Sequence, residues 1–174
     1  MTSTLLTLIR RAAVIFAAAT LLTACGGGSG SDSAVAYLRV VNATADVAAV
    51  DLTVDNDSID EKLHATGVAA DAASDSTNLA AATYILRLRR GGGTTAVATT
   101  SFTLDSGDYK TAIAYGREGA LKLTTIEDDT DAPSSGYTRV RVFNSSADAG
   151  AVDIYLTDAS TLLDEVTANI AAIG

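Results

Sequence analysis

Tyr84-Ile85-Leu86-Arg87-Leu88-Arg89-Arg90-Gly91-Gly92-Gly93 decides the fold class. Tyr84, Leu86 and Leu88 fall on one parity, and Arg87 and Arg89 on the other. Successive side chains of a strand point to opposite faces, so this period of two describes a half-buried strand with one apolar and one charged face. The glycines that follow accept positive φ without steric cost and read as a hairpin turn. The same alternation recurs on both sides. Leu38 and Val40 flank Arg39; Val50, Leu52 and Val54 alternate with Asp51 and Thr53; Phe102 and Leu104 flank Thr103. Tyr109, Thr111, Ile113 and Tyr115 share one face and Lys110, Ala112 and Ala114 the other, while Leu121, Leu123 and Thr125 alternate with Lys122, Thr124 and Ile126. Asp105-Ser106-Gly107-Asp108 reads as a second hairpin turn. From Asp57 to Asn78 the periodicity is weak, and the segment reads as one or two short strands with loops, or a short helix. Many short half-buried strands predict an all-β fold, an antiparallel β-sandwich of immunoglobulin-like or transthyretin-like type.

The chain also repeats itself. Residues 38–52 align without a gap to residues 140–154 at an offset of 102, with eight identities in 15 positions. The identical pairs are Arg39/Arg141, Val40/Val142, Asn42/Asn144, Ala45/Ala147, Asp46/Asp148, Ala49/Ala151, Val50/Val152 and Asp51/Asp153. A period of this size indicates duplicated domains rather than a solenoid. The reading places a sandwich domain at 35–130, a linker with the only proline, Pro133, at 131–136, and a partial second copy at 137–174. A third of a sandwich does not bury its own inner face, so the second copy is expected to be a fragment, with docking on the first domain or on another chain as the alternatives.

The N-terminus has its own pattern. Arg10 and Arg11 precede an apolar run of 11 residues, Ala12 to Leu22, too short for a span of about 20 residues. Leu22-Thr23-Ala24-Cys25 closes the run and resembles the lipobox of bacterial lipoproteins. The resemblance implies a signal peptide over 1–24, cleavage between Ala24 and Cys25, diacylglycerol on the Cys25 sulfur and an acyl chain on its new amine. Three such chains hold a protein essentially permanently, at roughly 0.8 kcal/mol per buried methylene. Gly26 in place of aspartate leans, by analogy, towards the outer membrane. Residues 25–34 then form the lipidated cysteine and its tether. Gly26 to Ser33 is a Gly/Ser-rich coil with a reach of roughly 15 Å.

Composition narrows the functions. Without Arg10 and Arg11, 10 basic residues face 21 acidic ones, a formal charge of −11, which opposes nucleic acid as a partner. Cys25 is the only cysteine and His64 the only histidine, so no disulfide, thiolate site or multi-histidine metal site forms within one chain. No nucleophile elbow, carboxylate pair or phosphate loop is recognisable, and His64 falls in a loop-like segment. No enzyme activity, cofactor or metal is expected.

Four sets of polar residues stand out. Arg39 with Asp51, and Arg141 with Asp153, are read as cross-strand ion pairs that set register, with a ligand-binding pair as the alternative. Asn42 and Asp46, and Asn144 and Asp148, bracket a loop. They are read as closing it on backbone amides, with a cation or a sugar hydroxyl as the alternative ligand. The acidic runs Asp55–Asp60 and Glu127–Asp131 invite a calcium reading, but in the first Ile59 sits where an oxygen ligand is needed and no glycine follows, and the second is read as a solvated linker. Arg87, Arg89 and Arg90 make one basic patch, read as a solvated strand face that guards against edge pairing.

The repeated unit resembles the family called domain of unknown function 4397. Arg39-Val40, Asn42, Asp46 and Val50-Asp51 match its opening; Leu79-Ala80-Ala81-Ala82-Thr83-Tyr84 resembles its Leu-Pro-Ala-Gly-Thr-Tyr; and Leu104-Asp105-Ser106-Gly107-Asp108-Tyr109-Lys110-Thr111 resembles its later glycine turn. Ala45 and Ala48 replace two loop prolines of the family, which implies looser loops here. The resemblance implies an exported or lipid-anchored β-sandwich, often in tandem, with no enzymatic role attached. The expected function is a lipid-anchored envelope protein in the outer membrane, facing the periplasm or the cell surface. It would act as a non-enzymatic binding or structural module towards an envelope protein or glycan. A surface adhesin or glycan-binding module, calcium-dependent in one version, is second. Its aromatic residues are few, and most fall at core parity.

Overall fold

The strand that opens the fold owes its length to ten residues with strict alternation. In the computed structural model, which describes residues 34–57 and 59–174, β1 runs Val35–Thr44 and buries every second residue, from Ala36 through Leu38, Val40 and Asn42 to Thr44. The expected signal peptide over 1–24, the expected cleavage site at Ala24–Cys25 and the expected tether up to residue 33 lie outside the described residues. After β1 come β2 (Ala49–Asn56), β3 (Ile59–Ala69), β4 (Ala72–Ala73), β5 (Thr77–Ala80), β6 (Ala82–Arg90), β7 (Ala96–Leu104), β8 (Tyr109–Gly116) and β9 (Lys122–Glu127). Two short strands, β10 (Val152–Ile154) and β11 (Ile170–Ile173), follow, with one 3-10 turn at Leu163–Glu165 between them. The described residues contain no α-helix, and none of their helices is long and apolar enough to cross a membrane.

β10 and β11 pair in a separate two-stranded sheet, and strands β1 to β9 form two facing sheets. One has the order β4-β1-β8-β9, with β5 beside β4 on the same edge of β1; the other has the order β3-β2-β6-β7. Every ladder is antiparallel except β1 with β8, which is parallel from Tyr37↔Tyr109 to Thr44↔Gly116. Leu38 and Val40 of the first sheet meet Val50, Leu52, Val54, Tyr84, Leu86 and Leu88 of the second in one core, closed by Phe102 and Leu104. Tyr84 and Phe102 are cross-strand partners with ring centroids 6.1 Å apart, and the Tyr84 hydroxyl donates to Ala80 O at 2.8 Å. The fold is an all-β sandwich.

Several expectations change at the level of elements. The Gly91–Gly93 stretch turns β6 into β7, but Asp105–Asp108 is not a hairpin turn: it carries the chain from β7 in one sheet to β8 in the other. The segment 57–78 contains an 11-residue strand, β3, and two short ones, and His64 lies on β3 rather than in a loop. β3 is an edge strand, exposed along most of its length and bulged at three places against β2. An edge strand with two wet faces shows no hydrophobic period. On β8 the inner residues are Ala112 and Ala114, while Thr111, Ile113 and both tyrosines face outward. Alternation finds the two faces, but it does not say which is inner when both are largely apolar. The tyrosines therefore depart from core parity, and Tyr84 alone of the six belongs to the core.

Candidate functional site

The motif residues are held mostly by the backbone. Asn42 is fully buried at the end of β1. Its amide nitrogen donates to Val47 O at 3.3 Å and Val68 O at 3.0 Å, and its Oδ1 accepts from Thr44 N and Thr44 Oγ1. One side chain thus ties the β1–β2 loop to β3 of the opposite sheet. Asp46 Oδ1 accepts from Glu118 N at 2.7 Å, which fixes the same loop to the β8–β9 turn.

Arg39 and Asp51 do not pair, because β1 and β2 belong to different sheets. Arg39 lies on the outer face, where it donates from Nε to Thr111 Oγ1 at 2.8 Å and meets Asp128 at 3.2 Å. Asp51 is buried on the far side of the molecule's second sheet and takes two amides, Gly67 N at 2.6 Å and Gly92 N at 2.8 Å. Burial pushes its carboxyl up, but these two amides, the Thr66 side chain and Arg89 outweigh burial and hold it below the usual carboxylate range. Gly67 has φ +61 and sits at a bulge of β3, which aims its amide at the carboxylate.

The similar stretch at residues 140–154 has some of the same contacts. Asn144 Nδ2 donates to Gly150 O at 2.7 Å and Ile173 O at 3.1 Å, and its Oδ1 accepts from Ser146 N. Asp153 Oδ1 accepts from Ala172 N at 2.8 Å. Arg141 and Asp153 do not pair either: Arg141 donates to Glu127 O, and Asp148 pairs with Arg117 in the β8–β9 turn. β10 and β11 thus pair much as β2 and the end of β3 do, and Ala172, with φ +54, stands to Asp153 as Gly67 stands to Asp51.

The outer face of β1, β8 and β9 forms a cleft of about 600 Å³ against residues 128–143. Val41, Ile113 and Phe143 give its apolar floor, and Tyr115 meets the Phe143 ring edge-on at 5.2 Å. Arg39, Arg139 and Arg141 line it with Asp128, Asp129 and Asp131, and Arg139 pairs with Asp129. Thr111 Oγ1 donates to Asp128, which completes an Arg39–Thr111–Asp128 cluster. At the far end of this face Tyr37 and Tyr109 stack at 4.5 Å.

The basic patch is not an edge guard. β6 is a central strand, and its arginines are neutralised: Arg87 by Asp55 at 2.5 Å, Arg89 by Glu61, and Arg90 by Glu118 at 3.2 Å. His64 Nε2 donates to Leu38 O at 3.1 Å and lies 3.2 Å from Thr77 Oγ1, so it bridges the two sheets. Among the described residues no three His, Cys, Asp or Glu side chains converge to hold a metal ion. Thr44, Gly67 and Thr111 were not singled out from sequence as site residues, while Gly92 was read only as part of a hairpin turn and Asp128 only as part of an acidic run. An isolated glycine inside a strand pattern marks a bulge and would have pointed to Gly67.

The geometry defines a β-sandwich module built around an Arg-Val-x-Asn…Asp…Val-Asp unit. Residues 36–155 match the family described as Domain of unknown function (DUF4397), and the chain belongs to that family. The match runs past the first sandwich, through the linker and into β10. No protein of curated function matches the chain.

Proposed function

We propose that the chain is a lipid-anchored module of a bacterial cell envelope that acts by presenting its sandwich surface rather than by catalysis. The observation that carries the reading is Leu22-Thr23-Ala24-Cys25, followed by a Gly/Ser tether that leads into the first strand. Cys25 bears the lipid, Gly26 directs the protein to the outer membrane, and the tether holds the fold within roughly 15 Å of the bilayer. The non-enzymatic part is supported by what the motif side chains do. Asn42, Asp46 and Asp51 hydrogen-bond chiefly to backbone, and Arg39 is engaged by Thr111 and Asp128. Partners then meet the outer face of β1, β8 and β9, and an envelope protein or glycan is the class proposed. The test is intact mass and membrane fractionation of the full gene product beside Cys25→Ser. A lipid-sized mass increment in the outer-membrane fraction, lost in the variant, is the expected result. Two soluble, unmodified forms would overturn the anchor and the envelope role together.

A further inference from the structure

The two facing sheets have four edges, and three of them are guarded. β3 is bulged at three places against β2 and exposes Asp60, Glu61 and Lys62. On the edge beside β1, β4 and β5 are only two and four residues long. β9 has six residues and ends in charge on both sides, at Lys122 and Glu127. Short length, bulges and charged side chains keep an edge from pairing with another chain. β7 is the exception. It is nine residues long, and its ladder with β6 is regular from Ala82↔Leu104 to Leu88↔Ala98, with one irregularity towards Arg89. Residues 91–104 include no charged residue and no proline. The nearby arginines, Arg87 and Arg89, belong to the central strand β6 and are neutralised there. Among the described residues β7 forms a ladder with β6 alone, and Thr99, Ser101 and Thr103 are exposed.

We infer that β7 is the edge through which two chains of this protein associate. The two β7 strands pair antiparallel across a two-fold axis at Thr100 and join two four-stranded sheets into one of eight strands. Charge selects a second chain as the occupant. The chain has a formal charge of −9, so two of its surfaces meeting elsewhere bring acidic groups together, whereas two copies of residues 91–104 bring none. The register is self-complementary. On the outer side Thr99 faces the partner's Ser101, and hydroxyls placed so hydrogen-bond across a ladder. On the inner side Ala98 faces the partner's Phe102, small against large. Ala98 and Phe102 already pack on the core of their own chain, so both are held in place before pairing. Threonine and phenylalanine also suit a pleated surface. Such an interface makes every contact twice and closes at two chains, and the guarded β3 at each far edge stops the sheet from growing further. The pairing uses neither the lipid at Cys25 nor the outer face of β1, β8 and β9.

The experiment is sedimentation equilibrium of the full chain in detergent solution, beside Cys25→Ser, with amide hydrogen exchange read at several protein concentrations. A monomer–dimer equilibrium is expected in both forms, with protection of residues 96–104 rising as the dimer forms. Thr99→Lys combined with Ser101→Lys sets like charges directly opposite each other and is expected to weaken the dimer about tenfold at low salt. Thr99→Glu combined with Ser101→Lys sets opposite charges at the same places and is expected to keep the dissociation constant within about threefold of the unchanged chain. Both positions are exposed, and urea midpoints check that the variants fold. A chain monomeric at millimolar concentration, a dimer lost in Cys25→Ser, a dimer indifferent to the paired lysines or equally weakened by the Glu/Lys pair, or protection of 96–104 that does not change with concentration would each overturn the proposal.

Discussion

Asn42 and Asn144 stand at matching positions of two similar stretches of sequence, in two environments, and they separate burial from chemistry. Both donate to two carbonyls and accept from an amide two residues on, but Asn42 is fully buried and its counterpart is partly exposed. Asn42→Ala takes from Val68 O and Thr44 N their bonds to the side chain in a dry site, leaving Thr44 Oγ1 and Val47 O to each other, and is expected to destabilise by about 2–3 kcal/mol. Asn144→Ala, where water replaces the lost bonds, is expected to change stability by less than about 1 kcal/mol. Urea denaturation of the two variants checks both. Gly67→Ala meets no neighbour at its new Cβ but must hold φ near +61, and about 1 kcal/mol of destabilisation is expected in the same assay. Two titrating groups contribute to the acid limb. Burial pushes the His64 imidazole below its usual 6.5, against the Leu38 hydrogen bond and with Lys62 adding to it, while Asp51 lies below its usual 3.8. Both bind protons more tightly in the unfolded chain, so both stabilise the fold at high pH and lose that contribution as pH falls. The urea midpoint is expected to decline below about pH 6.5 through His64 and again below about pH 4 through Asp51. His64→Gln should remove the first step, and Asp51→Asn should flatten the second while lowering stability at neutral pH.

Strands were legible in the sequence where one face is dry and the other wet. β6 sets Tyr and Leu against Arg because it lies mid-sheet with one face on the core, and β2 alternates Val and Leu with Asp and Thr, whose polar side chains mark its outer face although their hydrogen-bond partners bury them. β3 was illegible for the opposite reason, since residues such as Asp60, Glu61 and Lys62 are exposed at successive positions. The direction of a ladder was also hidden. Nothing in Leu38-Arg39-Val40 states that its neighbour is 72 residues away and parallel. The Arg39–Asp51 pairing failed at this point, because shared parity on two strands says nothing unless the strands share a sheet. The duplicated Asn and Asp were visible as a repeat, but their partners, glycine amides at bulges and turns, were not. Native-state exchange should rank the strands accordingly. Amides of β2 and β6, ladder-bonded on both sides, are expected to exchange only on global unfolding. Those of β3 towards solvent and of β10 and β11 should exchange orders of magnitude faster. Leu88→Ala, at a fully buried position of β6, is expected to cost about 2–5 kcal/mol.

At the scale of the molecule, the parallel contact between β1 and β8 has a kinetic meaning. The first strand is made early, yet one of its two edges is closed by residues 109–116, and Arg39 meets Thr111 only after 72 further residues exist. At about 5–20 residues per second a ribosome takes roughly 4–14 s to make that stretch. Throughout this interval Leu38 and Val40 face no completed inner sheet, and a row of main-chain donors and acceptors stays open. Closing so distant a contact is entropically slow even once the chain is complete. The sandwich is therefore a late-committing fold, in which the chain remains threadable until its eighth strand arrives, and whatever holds it before then must shield the segment that was synthesised first.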